Sequence, residues 1–462
     1  MTAIRSGRTP FRLLVQSAPM LAVLFVVGAV AVPTANADEL TAKVDALFAK
    51  WDKPDSPGCA LGVIRDGEFV YQRGYGSANL DYEIPISSKT VFYLASVSKQ
   101  FAAASIALLA QEDGVSLDDD IRKHLPELPE YDDTITIRHL VHHTSGLKDY
   151  LTLMSVMGAN FEDVHSIEEV LHVISRQTEL NFPPGEKYLY SNTGYFLLGV
   201  IIKRVTGKSL REYADEKIFQ PLGMQHTHFH DDRSMIVKHR AIGYSSRDDG
   251  GFEINDLRNF EMVGSGGLLS SVDDLLKWDQ NFDHQNVGGQ DFIETLHTRG
   301  RLNDGTTLDY AFGLSLGRFG GLKTVRHGGA MMGFRTHFIR FPEQRLTVVC
   351  LGNLAEFNPG SLAEQVAQLH LAEEFKQAAD QYAGTYRNEE LDTSYTLSVD
   401  DRALRAGRGN GPQTQLKAAS GNDAFTVKGM KIEFERDDED QITGFKVPTG
   451  RASAIRFARI EE

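Results

Sequence analysis

Residues 93–111 read YLASVSKQFAAASIALLAQ, and one lysine interrupts a segment that is otherwise almost entirely apolar. At a period of 3.6 residues, the apolar side chains form two stripes that together cover most of a helix circumference. The segment therefore predicts a buried helix. Lysine is rarely buried, and the positive end of the helix dipole further disfavours its charged form. We therefore expect Lys99, in the first turn of this helix, to have a chemical role.

Ser96 stands three residues before Lys99, so a helix would hold the serine hydroxyl and the lysine amine on one face. A serine hydroxyl is a weak nucleophile, and a desolvated lysine of lowered pKa can act as its base. The pair therefore predicts a serine nucleophile activated by lysine. A second Ser-x-x-Lys, Ser145 to Lys148, contains Gly146 and is typical of a turn, so the helical context favours Ser96.

Two further motifs carry groups that catalysis can use. Tyr190 and Asn192 lie between a Pro-Gly loop and an apolar helix. A tyrosine can relay protons when nearby positive charge lowers its pKa, and an asparagine can hold a substrate amide. His327, Gly328 and Gly329 end a strand, and the two glycines would let a substrate backbone lie alongside it. The alternatives are a simple helix cap in the first motif and an ordinary strand-end turn in the second.

The amino-terminal residues 1–37 have the layout of a secretory signal peptide. They carry three arginines, an apolar run shorter than the ~20 residues of a membrane span, and the sequence Ala-Asn-Ala before Asp38. The sequence thus predicts a periplasmic or secreted protein with no membrane span after cleavage. A retained membrane anchor is the alternative.

Strand and helix patterns divide the rest into two domains. Residues 38–377 begin with two strand patterns and end with four, which we expect to share one antiparallel sheet flanked by helices, with a mainly helical insert between them. This is an α+β fold. Residues 378–462 contain short strands separated by Asp- and Gly-rich turns, and they predict a small all-β barrel or sandwich.

Composition excludes several classes of function. The formal net charge of −15 argues against nucleic acid and anionic membrane surfaces as partners and leaves a small molecule or peptide as the expected substrate. Two cysteines exclude a disulfide scaffold, and Cys59 and Cys350 lie in apolar strand patterns where an unpaired buried thiol is the commoner state. A bridge between them is the alternative. The sequence leaves the oligomeric state open.

One histidine cluster could suggest a metal site. His226, His228 and His230 would face one side of a strand, and three histidines can bind zinc. No carboxylate or further histidine is clearly near them, so we expect neither a metal nor another cofactor. For His142 and His143 we expect a structural role.

Taken in order, the Ser-x-x-Lys, Tyr-x-Asn and His-x-Gly motifs resemble those of the serine β-lactamase and penicillin-binding protein superfamily, most closely its class C branch. Other stretches resemble that branch too, namely TIRHLVHHTSGL, FPPGEKYLYSNTGYFLLG, PLGM and GSGGLLSSVDDLLKW. The resemblance covers residues 57–355. The carboxy-terminal β region is similar to barrel domains appended to some members, such as the D-aminopeptidases.

The resemblance implies a role for each motif residue. Ser96 would be acylated, Lys99 would be its base, and Tyr190 would pass protons to the leaving group. Asn192 would bind the substrate amide carbonyl, and the backbone amides of Ser96 and Ala330 would hold the oxyanion. His327 stands where class C β-lactamases have lysine, and a neutral histidine grips a β-lactam carboxylate more weakly.

The function implied is an exported serine hydrolase that acts through an acyl-enzyme on amide or ester bonds. D-amino-acid-containing peptides or cell-wall fragments are the expected substrates, because a histidine in the third motif is similar to D-aminopeptidases and some D-alanyl-D-alanine peptidases. The alternatives are a carboxylesterase, a weak β-lactamase, and a module that binds peptidoglycan peptides with little turnover.

Overall fold

The computed structural model describes residues 34–400, 403–409, 411–437, 439–449 and 452–460. The predicted signal segment lies almost wholly outside the described residues, so its cleavage stays a prediction. The chain divides into two compact units, residues 1–39 and residues 40–462, and the sheet, the barrel and the candidate site all belong to the second. Among the described helices, none is both long and apolar enough to cross a bilayer.

Most of the described helices lie between the two early and the four late strands of the main sheet. The described helices are α1 (Thr34–Phe48), α2 (Lys99–Gln111), α3 (Ile137–Val141), α4 (Tyr150–Val156), α5 (Ile167–Ser175), α6 (Asn192–Thr206), α7 (Leu210–Ala214), α8 (Gln220–Leu222), α9 (Val272–His284), α10 (Gly289–Leu296), α11 (Pro359–His370) and α12 (Ala372–Ala379). Five short turns of 3₁₀ or π type complete them: Ala95–Ser98, Ile121–Lys123, Asp215–Phe219, Pro342–Gln344 and Asp380–Tyr382.

Strands gather at the two ends of the described chain. They are β1 (Cys59–Arg65), β2 (Glu68–Tyr75), β3 (Ser77–Asn79), β4 (Ile84–Pro85), β5 (Phe92–Tyr93), β6 (His228–Phe229), β7 (Tyr244–Ser246), β8 (Phe252–Ile254), β9 (Leu268–Ser270), β10 (Ser315–Phe319), β11 (Leu322–Met331), β12 (Phe334–Phe341), β13 (Leu346–Gly352), β14 (Gly384–Asn388), β15 (Thr393–Asp400), β16 (Ala403–Gly407), β17 (Thr414–Gln415), β18 (Lys417–Ala419), β19 (Ala424–Val427), β20 (Met430–Arg436), β21 (Ile442–Thr449) and β22 (Ala452–Ile460).

Six strands form the main sheet in the order β10-β11-β12-β13-β1-β2. The two ends of the domain meet where β1 pairs antiparallel with β13, from Cys59 opposite Gly352 to Arg65 opposite Leu346. The α+β fold, with two early and four late strands in one antiparallel sheet, is confirmed. The helical insert between these strand sets is confirmed as well.

The central strands are buried on both faces, which explains why their sequences are continuously apolar rather than alternating. Along β1, Ala60 and Ile64 belong to the core that contains α2 and α9, whereas Leu61 and Val63 belong to the core that contains α11. Cys59 and Cys350 lie in the second core as buried free thiols. The unpaired state favoured by their apolar surroundings is therefore the one observed.

Helix α2 is the buried helix that its sequence predicts. All its residues from Lys99 to Leu109 are buried. Its second polar residue, Gln100, has a structural partner, because the Trp278 indole nitrogen donates a hydrogen bond of 2.7 Å to its side-chain oxygen. Lys99, the first residue of the helix, instead directs its amine toward Ser96.

The carboxy-terminal strands form a nine-stranded antiparallel sheet in the order β17-β16-β15-β14-β22-β21-β20-β19-β18. The two edge strands, β17 and β18, directly follow one another in the chain. Because this short connection brings the two edges of the sheet close together, the sheet forms a nearly closed barrel. This confirms an all-β carboxy-terminal region and selects the barrel over the sandwich. The domain boundary at residue 377/378 stays a prediction.

One loop of the barrel, residues 420–423 between β18 and β19, contacts the catalytic half of the chain. The Asn422 side chain accepts a hydrogen bond from the Arg318 amide (2.8 Å) and donates one to the Asp309 carboxylate (2.6 Å). The Ser420 hydroxyl donates to Glu364 on α11 at 2.5 Å. The barrel therefore supports the hairpin β10–β11, whose second strand carries the third motif.

Candidate active site

The predicted nucleophile lies in a constrained turn. Ser96 belongs to the 3₁₀ turn Ala95–Ser98, and Ala95 just before it has a left-handed φ of 49°. Such a conformation is costly for a residue with a Cβ and persists only when its surroundings hold it. Here the Thr336 hydroxyl donates a 2.7 Å hydrogen bond to the Leu94 carbonyl, and the Leu268 amide donates to Ser98 Oγ at 3.1 Å. These contacts hold the turn, and with it Ser96, in a fixed position.

The Lys99 amine has three oxygen neighbours. Its Nζ atom lies 3.1 Å from Ser96 Oγ, 2.9 Å from Asn192 Oδ1 and 2.6 Å from the Ser265 carbonyl oxygen. Amide and peptide carbonyl oxygens can only accept hydrogen bonds. A neutral amine at this point would therefore use both its hydrogens on Asn192 and Ser265, and its lone pair would face Ser96.

The environment of Lys99 favours that neutral form. The side chain is fully buried, and this burial lowers the pKa of Lys99 to about 7. The charge of Asp149 acts in the opposite direction and raises it. Near neutral pH a large fraction of the protein thus carries an amine that can accept the serine proton.

Asn192, the first residue of α6, is held by Asp149. One carboxylate oxygen, Asp149 Oδ2, accepts hydrogen bonds from the Asn192 backbone amide (2.6 Å) and from its Nδ2 (2.9 Å). The other oxygen accepts from the Thr152 amide and caps α4. The Asn192 side chain therefore does not cap the helix, which was the alternative role inferred from the sequence. Its contact with Asp149 fixes its orientation toward Lys99.

Tyr190 lines the cavity that also contains Ser96, and 36 % of its surface is exposed. Lys99 Nζ is 4.8 Å from the centre of its ring. Burial of the phenol among neighbouring rings raises the pKa of Tyr190, and its contact with Ser96 only partly offsets this. The charge of Asp149 raises this pKa as well, so the condition of a pKa lowered by positive charge is not met at Tyr190. Tyr190 holds its proton at neutral pH.

An aromatic cluster supports Tyr190 from behind. His143 is buried, with its ring centre 4.3 Å from Tyr190, 4.7 Å from Tyr310 and 5.0 Å from Tyr195. Its Nδ1 accepts a hydrogen bond from the Ser191 amide. The structural role expected for His143 thus extends to the chain that carries the second motif.

His327 in the third motif is buried and neutral. Its Nδ1 donates to the Gly328 carbonyl at 2.7 Å, so the neutral ring accepts at Nε2 from the Tyr310 hydroxyl, 3.0 Å away. Burial, assisted by the charge of Lys99, lowers the pKa of His327 to about 4. Arg326 faces away as its strand position predicts, and it pairs with Glu364 at 3.2 Å. Neither side chain presents a cation to the cavity.

Gly329 is required by a close approach within the protein. A Cβ there would overlap the Leu94 carbonyl oxygen and the Thr336 hydroxyl, so the turn that carries Ser96 packs directly against this face of the strand. Gly328 has more room, because its nearest neighbour would be His337 Nδ1 at 3.3 Å. This close approach brings Ala330 and Ser96 to the wall of one cavity.

The cavity at Ser96 has a volume of about 220 Å³. It is lined by Tyr93, Ala95, Ser96, Tyr150, Leu151, Tyr190, Asn192, Phe260, Ser265, Gly266, Ala330 and Met331. None of these described lining residues carries an acidic or cationic side chain. Aromatic and aliphatic groups surround a few neutral polar atoms, which is the usual composition of a small-molecule site.

Three contributors to the site are not predicted by the sequence motifs. Asp149 orients Asn192, the Ser265 carbonyl fixes one hydrogen of Lys99, and Tyr310 holds His327. Asp149 directly follows the second Ser-x-x-Lys, whose own serine accepts a bond from the Leu147 amide in a turn. The sequence contains only weak signals for two of them. Asp149 is a carboxylate beside a turn motif, and Ser265 lies in a Gly-Ser-Gly-Gly stretch that is notable only because it resembles the family.

The three histidines at and around β6 lie close to other imidazole rings. His228 Nε2 and His230 Nδ1 are 3.4 Å apart, and the His226 ring faces His239. Within the described part of the chain, no group of three or more potential ligands is arranged to hold a metal ion.

Comparison with known proteins agrees with this architecture. The family described as Beta-lactamase matches residues 44–373. A D-aminopeptidase of Gluconobacter oxydans is 32 % identical over 314 residues, which is 68 % of this chain and 58 % of that protein. A D-aminopeptidase of Cereibacter sphaeroides is 30 % identical over 403 residues, which is 85 % of this chain and 73 % of that protein. This chain thus spans less than two thirds of the Gluconobacter protein.

A solved structure extends the similarity through the barrel. The octameric penicillin-binding protein homologue from Pyrococcus abyssi superposes with a TM-score of 0.63 and 26 % identity, covering 91 % of this chain and 99 % of that one. The fold, the extent of the family match and the identity to these relatives agree. This chain is a member of the β-lactamase family of serine hydrolases, within the serine β-lactamase and penicillin-binding protein superfamily.

Proposed function

We propose that this protein is an exported hydrolase that cleaves amide bonds of small substrates containing D-amino acids, through an acyl-enzyme on Ser96. The observation that carries the proposal is the buried Lys99 amine, whose two carbonyl partners leave its third position facing Ser96 Oγ at 3.1 Å. The relatives named D-aminopeptidase support the substrate class.

Acylation begins with the proton of Ser96. The neutral Lys99 amine accepts it as Ser96 Oγ attacks the substrate carbonyl carbon, and a tetrahedral oxyanion forms. The backbone amides of Ser96 and Ala330, which both line the cavity, would donate to that oxyanion. One such donor is typically worth about 3 kcal/mol in the transition state.

The departing amine needs a proton, and Tyr190 is the proposed donor. Its raised pKa keeps the phenol protonated at neutral pH, so it can donate but is a poor first base. The Lys99 ammonium formed in the attack, close to the Tyr190 ring, can return a proton to the phenolate. Lys99, neutral again, accepts a proton from the water that attacks the acyl-enzyme. The ester bond to Ser96 Oγ then breaks, and that proton passes from Lys99 to Ser96 Oγ.

The charge pattern of the cavity disfavours substrates that present a carboxylate to the third motif. A β-lactam, or a peptide cleaved near its carboxyl terminus, brings a carboxylate to the third motif. His327 is neutral there, and no charged side chain is among the described lining residues. An amide whose leaving group is uncharged suits this site better.

Carboxylesterase activity is the second candidate. The same neutral, mainly apolar cavity would accept an ester, and an ester leaving group needs less help from an acid than an amine does. A peptidoglycan-binding module with little turnover is the third, and it would not require a lysine of lowered pKa beside the serine.

Chromogenic substrates test these alternatives directly. We expect the p-nitroanilide of D-alanine to be hydrolysed with a larger kcat/KM than that of L-alanine, and benzylpenicillin to be turned over poorly. Ester turnover without D-alanine anilide turnover would replace the proposal by carboxylesterase. Absence of turnover with all of these compounds, together with binding of a wall peptide, would replace it by the binding module.

Export has its own test. We expect the protein to accumulate in the periplasm or medium of a bacterial host, with Asp38 as the first residue of the mature chain. Retention of residues 1–37 in a membrane fraction would support the anchor instead.

A further inference from the structure

The carboxy-terminal barrel is filled at one end only. Tyr382, Tyr386, Phe425, Phe434 and Phe445 pack together there, with ring centres 4.5–5.9 Å apart for the contacting pairs. These large side chains close that end of the barrel. Beyond this cluster, the described inward-facing residues are mainly aliphatic, with Tyr395 and Phe457 among them, and they leave space.

That space is an apolar cavity of about 480 Å³, roughly twice the volume at Ser96. Its floor is made by inward-facing residues of β15, β20, β21 and β22, including Leu397, Ile432, Val447 and Phe457. These side chains are buried, as alternation along the strands requires. A barrel of this size can hold one small ligand, and the volume falls within the ~300–1,000 Å³ typical of ligand sites.

The rim of the cavity is cationic. Arg408 and Lys428 line it from the segments after β16 and β19, and both are exposed. No carboxylate is among the described residues that line the cavity. This differs from the protein as a whole, which has a net charge of −15. An apolar interior below two cations is complementary to an amphiphile with an anionic head.

We propose that the barrel binds one long-chain carboxylate, such as a fatty acid. Its hydrocarbon chain would lie against Leu397, Val447 and Phe457, and its carboxylate would lie at the rim near Arg408 and Lys428. The cavity shares no lining residue with the one at Ser96, so this site is separate from the hydrolytic one.

Calorimetric titration of the full chain with dodecanoate, below its micellar concentration, tests the proposal. We expect saturable binding at one site per chain. The variant that combines Arg408→Glu with Lys428→Glu should bind about tenfold more weakly, because two exposed charge contacts are reversed. Lys417→Glu is the matched control, since Lys417 is exposed on β18 and does not line the cavity. It should bind dodecanoate as the wild type does.

Two variants and a second ligand test where dodecanoate binds. The variants distinguish the barrel cavity from the hydrolytic cavity, and the ligand distinguishes a specific site from an apolar surface that binds any amphiphile. Ala406→Phe fills the barrel cavity and should abolish binding, whereas Ser96→Ala should leave it unchanged. Dodecyltrimethylammonium, which has a similar chain and a cationic head, should bind weakly to the wild type. The proposal is overturned by absence of saturable dodecanoate binding, by equal binding to the charge-reversed and control variants, or by loss of binding in Ser96→Ala.

Discussion

Lys99 is the residue on which the proposed chemistry depends. Replacing it by methionine keeps the length of the side chain and removes the base, so we expect kcat/KM for an amide substrate to fall by about 10²–10⁴-fold. The thermal midpoint should stay the same or rise, because a buried amine costs free energy. Steady-state kinetics and calorimetry measure both quantities. Unchanged turnover in a folded variant would remove Lys99 from the mechanism.

The pH dependence of acylation follows from the state of the same amine. Only neutral Lys99 can accept the serine proton, and the neutral form predominates above its pKa of about 7. We therefore expect kcat/KM to rise with pH and to reach half its plateau near pH 7. Asp149 raises that pKa, so Asp149→Asn should move the rise to lower pH. A shift to higher pH would contradict this assignment of charges.

The sequence predicts the reactive pair of Ser96 and Lys99 but not the residues that surround the pair. Ser96 and Lys99 are three residues apart in a buried helical pattern, which is a local signal. Asp149 acts on Asn192 from 43 positions away, and no local pattern connects them. The raised pKa of Tyr190 likewise depends on burial among rings that folding brings together, so the sequence does not reveal its direction.

The contact between strand β11 and the turn of Ser96 can be tested with two neighbouring glycines. A Cβ at Gly329 would overlap the Leu94 carbonyl oxygen, so we expect Gly329→Ala to lower the free energy of unfolding by roughly 1–3 kcal/mol and to reduce turnover. Gly328→Ala is the matched control, because its Cβ would meet nothing closer than His337 Nδ1 at 3.3 Å. Equal effects of the two changes in thermal unfolding and kinetics would show that the close approach is not the cause.

The elements themselves were largely predictable where they are long. The apolar runs of β1 and β13 and the continuous burial of α2 follow from composition and periodicity alone. The barrel strands β17, β18 and β19 have only two, three and four residues. Strands that short carry too little alternation to separate a barrel from a sandwich, and pairing across the whole sheet decides the outcome.

For the whole molecule, the barrel is expected to stabilise the catalytic half through Asn422. This side chain bridges the Arg318 amide and the Asp309 carboxylate, so Asn422→Ala should lower the thermal midpoint by an amount equivalent to about 1–2 kcal/mol. Gln413→Ala, an exposed amide elsewhere in the barrel, should have no measurable effect. Equal midpoints for the two variants would mean that the loop contact does not couple the barrel to β10–β11.

The packing of the barrel loop against β10–β11 could not be derived from the sequence, because the contacts of Asn422 join residues more than a hundred positions apart. Asn422 lies 113 positions from Asp309 and 104 from Arg318. The composition of residues 378–462 predicts an all-β region, yet it contains no signal for the surface against which that region packs.

The most direct test is the intact mass of the protein during turnover of a D-alanyl thioester, after rapid acid quenching. The account predicts an adduct of one D-alanyl group on the wild type and on Ser145→Ala, the serine of the second Ser-x-x-Lys, with the acyl group mapped to Ser96. It predicts no adduct on Ser96→Ala. An adduct that persists in Ser96→Ala, or turnover that is unchanged in that variant, would contradict the acyl-enzyme mechanism.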